Sequence, residues 1–230
     1  MIVLWLLLTG LLCASEYRVF VDVGHGGRDP GALGLSGYKE KDICLLFAND
    51  LQTALKHYKG VEVQLSRQQD TYVSLKKRLA MANKHPIDAF ISVHMDKGSQ
   101  AKFRGMTAYV QSRASSDNTS AFLKTAASVQ EVVQSKYAEQ LSAMLMQVSH
   151  DESYKLAQSV LVYLRQQGVR LHAEKPRRRE LYLFHQHVPN FLLELGFISN
   201  HEDVALIIDV DKRRAMARAV AAGIYAYLQQ

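Results

Sequence analysis

Cysteine is almost missing: Cys13 and Cys44 are the two in 230 residues. Cys13 lies in an N-terminal stretch expected to be removed, so Cys44 stands alone and an internal disulfide is excluded. Cys44 then reads as a small core residue of a helix rather than a nucleophile. No apolar run spans a bilayer well. The longest, Met1 to Ser15 (MIVLWLLLTGLLCAS), is short and ends in the small residues Cys13, Ala14 and Ser15. That is the pattern of a secretory signal cleaved near Ser15, although no Lys or Arg precedes it. An uncleaved anchor, lipidation at Cys13 and a buried N-terminal element are the alternatives. No dense basic run is interleaved with aromatics, which argues against a nucleic-acid reader. The net charge of +6 still favours an acidic partner, such as an anionic lipid or acidic polymer. Internal repeats and low-complexity linkers are also lacking. With 48% hydrophobic residues the chain builds one sizeable core, hence one domain.

What the chain does contain is concentrated between Val19 and Asp42. Val19, Val21 and Val23 alternate as a strand does, and the run breaks into a loop holding Gly24, Gly26, Gly27, Gly31, Gly34 and Gly37. Glycine at this density marks positive φ or a backbone passing close to something bound. His25 follows the strand, at the end where open α/β sheets bind ligands. Glu40 closes the loop as a helical pattern begins at Ile43, Phe47, Leu51 and Leu55.

Further along, Val61–Leu65 alternates as a second strand, followed by Arg67 and Asp70, which read as a local ion pair shaping a loop. Leu75–Asn83 is a short basic helix, and Asp88–His94 is a third strand ending in a second imidazole. Arg104–Val110 reads as an edge strand. Helical periodicity runs from Val129 to Val148, and a capping box at Ser149 and Glu152 starts a new helix that ends at Gly168. Glu174–Glu180 (EKPRRRE) is expected to be a charged loop. Beyond it lie two strand-like runs broken at Pro189, the second closing on Glu194 behind Phe191, Leu192 and Leu193. A carboxylate in such surroundings is costly unless it is paired or used. His185 and His187 offer another pair of ligands on one strand face. Asp211–Leu228 is an amphipathic helix.

Strands alternating with helices predict an α/β domain: a mostly parallel, twisted sheet with helices on both faces. His25, His94 and Glu194 then fall at carboxyl ends of strands, and Glu40 reaches the same rim. Two His and one Glu form the ligand set of catalytic zinc, and a remaining carboxylate can shuttle a proton. The reaction this suits is metal-assisted amide hydrolysis.

The runs VDVGHGGRDPGALG with YKEKD, then SRQQDTYVSLKKR, ISVH and VPNFLLELGFISN, closely resemble the zinc-dependent N-acetylmuramoyl-L-alanine amidases of bacterial cell walls, the Amidase_3 family. The resemblance extends from about Tyr17 to the C-terminus, so residues 16–230 are expected to be the catalytic domain. It implies that His25, Glu40 and His94 bind one zinc ion and that Glu194 is the catalytic glutamate. It implies peptidoglycan as substrate, cut between N-acetylmuramic acid and L-alanine of the stem peptide. It also implies a periplasmic or secreted location and a monomer. Met95-Asp96 stands where the family usually has Ala-Asn, and Phe184-His185-Gln186-His187 replaces a commoner turn. His172 has a frequent family counterpart, which implies a substrate-facing role.

Family members that split septal walls carry a helical insertion where this chain has residues 111–148. The resemblance implies that the segment is a regulatory lid displaced by an activator protein, with Glu131 or Glu139 plugging the metal; a plain packing helix is the alternative. Two other functions fit the same residues: a zinc peptidase acting within the stem peptide, and a non-catalytic wall-binding module.

Overall fold

The structure, a computed structural model, describes residues 17–34, 37–100, 102–112, 136–181 and 188–230, with 136–146 as backbone only. Six strands form one sheet: β1 (Tyr17–Val23), β2 (Val61–Leu65), β3 (Ala89–Asp96), β4 (Thr107–Gln111), β5 (Arg177–Arg179) and β6 (Asn190–Phe197). Their spatial order is β2-β1-β3-β6-β4-β5. Every neighbouring pair is parallel except β4 and β6. The helices are α1 (Glu40–Leu55), α2 (Leu75–Ala82), α3 (Lys136–Gln166), α4 (His201–Ile208) and α5 (Val210–Leu228). The expected α/β domain with a mostly parallel sheet and helices on both faces is the one observed. None of these helices is long and apolar enough to cross a membrane.

Alternation along the strands divides the sheet into two chemically different faces. Val19, Val21, Val23, Ile91, Val93, Leu193, Leu195, Ala108 and Val110 point into the main core, where they meet residues of α1, α3, α4 and α5. The opposite face carries Phe20, Asp22, Phe90, Ser92, His94, Glu194 and Thr107. There α2 closes a small apolar patch of Phe20, Phe90 and Ala82, in which the two phenyl rings stack at 5.4 Å. Beside that patch this face is polar.

Several expectations change. β4 is not an edge strand: it runs antiparallel to β6 on one side and pairs with β5 on the other. Among the described residues the edge is Arg177–Arg179, which reads from the sequence as a loop because no apolar residue in it alternates. α3 continues through Ser149 without a break, so the S-x-x-E pattern caps nothing. Ser149 and Ser153 are buried inside the helix, where the Ser153 hydroxyl donates to the Ser149 carbonyl at 2.7 Å and accepts from the Asn190 amide at 2.9 Å. A serine that bonds back to its own helix leaves the helix intact. β3 and β6 run past His94 and Glu194, so both residues stand within their strands. The tail helix is observed as expected, as α5, and it is preceded by an unexpected helix, α4, capped by Asn200, whose side chain accepts from Glu202 and Asp203 amides. Residues 1–16, 113–135 and 182–187 lie outside the described residues, and with them the signal segment, Glu131, His185 and His187. The Glu139 side chain lies outside them too.

α3 and α5 approach closely at Gly223. A Cβ there would stand 2.6 Å from Val160 Cα and 3.0 Å from Val160 N, both backbone, while the Gly223 carbonyl accepts from the Ser159 hydroxyl at 2.8 Å. Glycine to alanine within a helix ordinarily gains about 1 kcal/mol. Here the sign should reverse: Gly223→Ala should cost about 1–3 kcal/mol by forcing the two helices apart, measured as a lower urea midpoint at unchanged slope.

Candidate active site

The site lies where β1 ends. Val23 closes the strand, and the chain turns at Gly24 into His25, the non-glycine residue with positive φ (56°) among the described residues. Two buried guanidiniums hold this turn. Arg78 of α2 donates to the carbonyls of Val23 and His25 and to Asp22 Oδ1 (2.7 Å). Arg67 donates to the carbonyls of Gly24 (2.7 Å), Lys41 (2.7 Å) and Val23 (3.3 Å). Arg67 and Asp70 do shape the loop, but not by pairing with one another. Asp70 accepts instead from Lys41 Nζ at 2.6 Å and from the Gly27 amide at 2.7 Å. Arg67 faces too many bent-back carbonyls to need a carboxylate.

Held in this way, His25 meets His94 and Glu40. Glu40 is the first residue of α1, where a carboxylate is favoured by the helix dipole. Its Oε1 accepts from His94 Nδ1 at 2.8 Å and from the Met95 amide at 3.2 Å, and lies 3.1 Å from His25 Nε2. Its Oε2 accepts from the Ala32 amide at 2.8 Å. Ligand atoms of His25, Glu40 and His94 all lie within 4.8 Å of one another, close enough to share one divalent ion. On its far side His25 Nδ1 donates to Asp29 at 2.9 Å, which turns Nε2 toward the cluster. Burial favours the neutral His25 ring, but the bonds and charges of Glu40 and Asp29 outweigh it and raise its pKa above 6.5. Burial likewise favours neutral Glu40, yet hydrogen bonds from His25 and His94 hold its carboxyl well below the usual range.

Two glycines make room for this. A Cβ on Gly24 would lie 2.7 Å from His94 Cε1, and one on Gly31 would lie 2.6 Å from both Glu40 Oε2 and His25 Cδ2.

Glu194 is the register partner of His94 across β3 and β6, and of Thr107 across β6 and β4. It is 6% exposed, and its Oε2 has no hydrogen-bond partner among the described residues. Thr107 Oγ1 is likewise buried without one. Burial, followed by the charges of Asp96 and Glu40, pushes the Glu194 carboxyl well above its ordinary pKa. A buried carboxyl of this kind, on the same sheet face as the three-residue cluster, is suited to accepting and returning a proton.

Other expected residues lie elsewhere. Cys44 is fully buried on α1 and its thiol pKa is pushed up by burial, as fits a core residue. His172 packs edge-on against Phe197 (5.0 Å) and Phe103 (5.9 Å) and is neither plain surface nor part of the cluster. A cavity of about 390 Å³ at the other end of α1, lined by Asp50, His57, Tyr58 and Arg218 among others, contains none of the four groups. Asp29 and Arg78 are site residues that the sequence did not expose, because each stands in a stretch that reads as solvated, and Arg67 meets three carbonyls rather than the expected Asp70.

Comparison with known proteins agrees with this geometry. Residues 19–226 match the family model described as Amidase_3, N-acetylmuramoyl-L-alanine amidase. The chain is 30% identical over 219 residues to N-acetylmuramoyl-L-alanine amidase AmiA of Escherichia coli, covering 91% of this chain and 75% of AmiA. Among solved structures, amidase AmiC2 of Nostoc punctiforme superposes with a TM-score of 0.72 at 25% identity, covering 94% of this chain and 99% of that one. The CwlD amidase of Clostridioides difficile, in complex with the GerS lipoprotein, has the same fold, with a TM-score of 0.70 at 22% identity over 93% of this chain and 99% of that one. With nearly its whole length matched, the chain belongs to the N-acetylmuramoyl-L-alanine amidase family of peptidoglycan hydrolases.

Proposed function

We propose that this protein cuts the amide bond between N-acetylmuramic acid and L-alanine of the stem peptide, using one zinc ion held by His25, Glu40 and His94 and a proton shuttle at Glu194. The observation that carries the reading is the meeting of two imidazole nitrogens and a carboxylate oxygen within 4.8 Å, one strand away from a buried carboxyl with an unpartnered oxygen. Two His and one Glu leave a coordination position open, the arrangement of catalytic rather than structural zinc. When bound, the ion supplies Lewis acidity toward the amide carbonyl and the attacking water.

The chain's own residues do the rest. Glu40 neutralises charge at the centre while its other oxygen stays tied to the Ala32 amide, so the carboxylate cannot swing away. Asp29 keeps the His25 ring oriented. Glu194 takes the proton of the attacking water and delivers it to the departing amide nitrogen, and burial raises its affinity for that proton. A peptidoglycan substrate supports a periplasmic or secreted location. The lipoprotein bound to the clostridial neighbour supports looking for a regulatory partner here too.

Three outcomes test this. Chelator treatment should abolish release of dye-labelled wall fragments, and added zinc should restore it, with metal content near one ion per chain by mass spectrometry. Glu194→Gln should retain its zinc and lose about 10²–10⁴-fold in turnover, whereas His94→Ala should lose both; wild-type lysis by the Glu194 variant would remove the proton-transfer role. Asp29→Asn should keep the fold and weaken zinc affinity by about 10–100-fold, measured by competition with a chromogenic chelator.

A further inference from the structure

β5 consists of three arginines, all exposed. Alternation sends them to different sides. In register, Arg177 lies beside Tyr109 and Arg179 beside Gln111, while Arg178 lies beside the core residue Val110. Arg178 accordingly leans over Tyr154 of α3, its guanidinium carbon 5.8 Å from the ring centroid. Arg179 leans over Tyr109 at 5.5 Å, on the face that carries Thr107, Glu194 and His94.

The two same-face arginines are electrostatically joined to the site. Burial first, then the negative charges of Asp96 and Glu194, raise the Tyr109 phenol, and Arg177 and Arg179 oppose them. Arg179 is also the cation that opposes the raised Glu194 carboxyl. Two like charges separated by two strand residues, about 7 Å, repel one another. Among the described residues no carboxylate forms an ion pair with Arg177 or Arg179. A planar guanidinium fork suits a carboxylate ligand, to which it can make two parallel hydrogen bonds.

We propose that Arg177 and Arg179 bind carboxylates of an acidic peptide lying across Tyr109, with its amide end at Glu194. This rests on the amidase reading and names the part of the substrate that the chain holds. Two strand spacings across the sheet and two residues along it put the Arg177 backbone roughly 12 Å from that of Glu194. An extended peptide covers that distance in about three or four residues. The carboxylates recognised are therefore those of the third residue from the scissile bond, on its side chain and at its carboxyl end.

The test uses an N-acetylmuramoyl tripeptide with its side and terminal carboxylates free, and the same compound with them converted to carboxamides. The wild-type enzyme should cut the free acid with the lower KM. Arg177→Gln and Arg179→Gln should each raise that KM about tenfold, the loss of roughly one charge-assisted contact, with kcat unchanged and the amidated compound unaffected. Arg179→Lys should fall between. Arg178→Gln, on the other face, should match wild type for both compounds. Equal KM values for the two compounds with wild-type enzyme overturn the inference alone, and that comparison needs no variant to fold. Equal effects of Arg178→Gln and Arg179→Gln, or a KM rise for both compounds alike, also overturn it. Wild-type enzyme that cuts neither compound overturns the amidase reading together with it.

Discussion

Two buried guanidiniums at the end of β1 are the constraint on which the active centre depends. A chain leaving a strand ordinarily takes its carbonyls to solvent, but here those of Val23, Gly24 and His25 turn inward, and Arg67 and Arg78 satisfy them. A buried polar group left without a partner costs a few kcal/mol, so the bend and the two arginines stand or fall together. The bend forces His25 into left-handed φ, a conformation that costs of order 1–3 kcal/mol and persists where the surroundings over-determine it. Asp22, buried and bonded to both Arg78 and Ser92, balances the charge that Arg78 brings inside.

That arrangement also explains how one sheet serves two purposes. Its apolar face supplies the core, and four helices seal it. Among the described residues the opposite face is covered only in part, by α2, so a row of polar side chains can stand on a rigid support. Three of them, His94, Glu194 and Thr107, are neighbours across β3, β6 and β4. Strand pairing fixes their spacing, so the centre does not rely on loop order for anything except His25. The helix that begins at Glu40 is anchored as well: Asp50, further along it, accepts from the buried Arg213 of α5 at 2.7 Å.

Much of this was legible from the chain alone, and the exceptions have physical reasons. β1, β2 and β3 announce themselves by alternation, and Glu194 by the misfit of a carboxylate inside an apolar run. The pairing of β4 with β6 is a long-range event that no local pattern records. Arg177–Arg179 has no apolar alternation, because an exposed edge strand need not bury either face. Arg78 sits among lysines on a short helix, and periodicity cannot tell the one cation that points inward from those that do not. Ser149 and Glu152 have the spacing of a cap, but the apolar stripe of α3 runs through them and tertiary packing keeps the helix whole.

The arginine edge has a meaning for solubility. A strand with one unpaired side is a template on which another molecule can add its own strand, and runs of such additions end in fibres. β5 is the outermost strand on its side among the described residues, it is only three residues long, and every position is cationic. A second copy approaching edge to edge would set guanidinium against guanidinium along the whole ladder, so the sheet resists polymerising at the margin where it is most open.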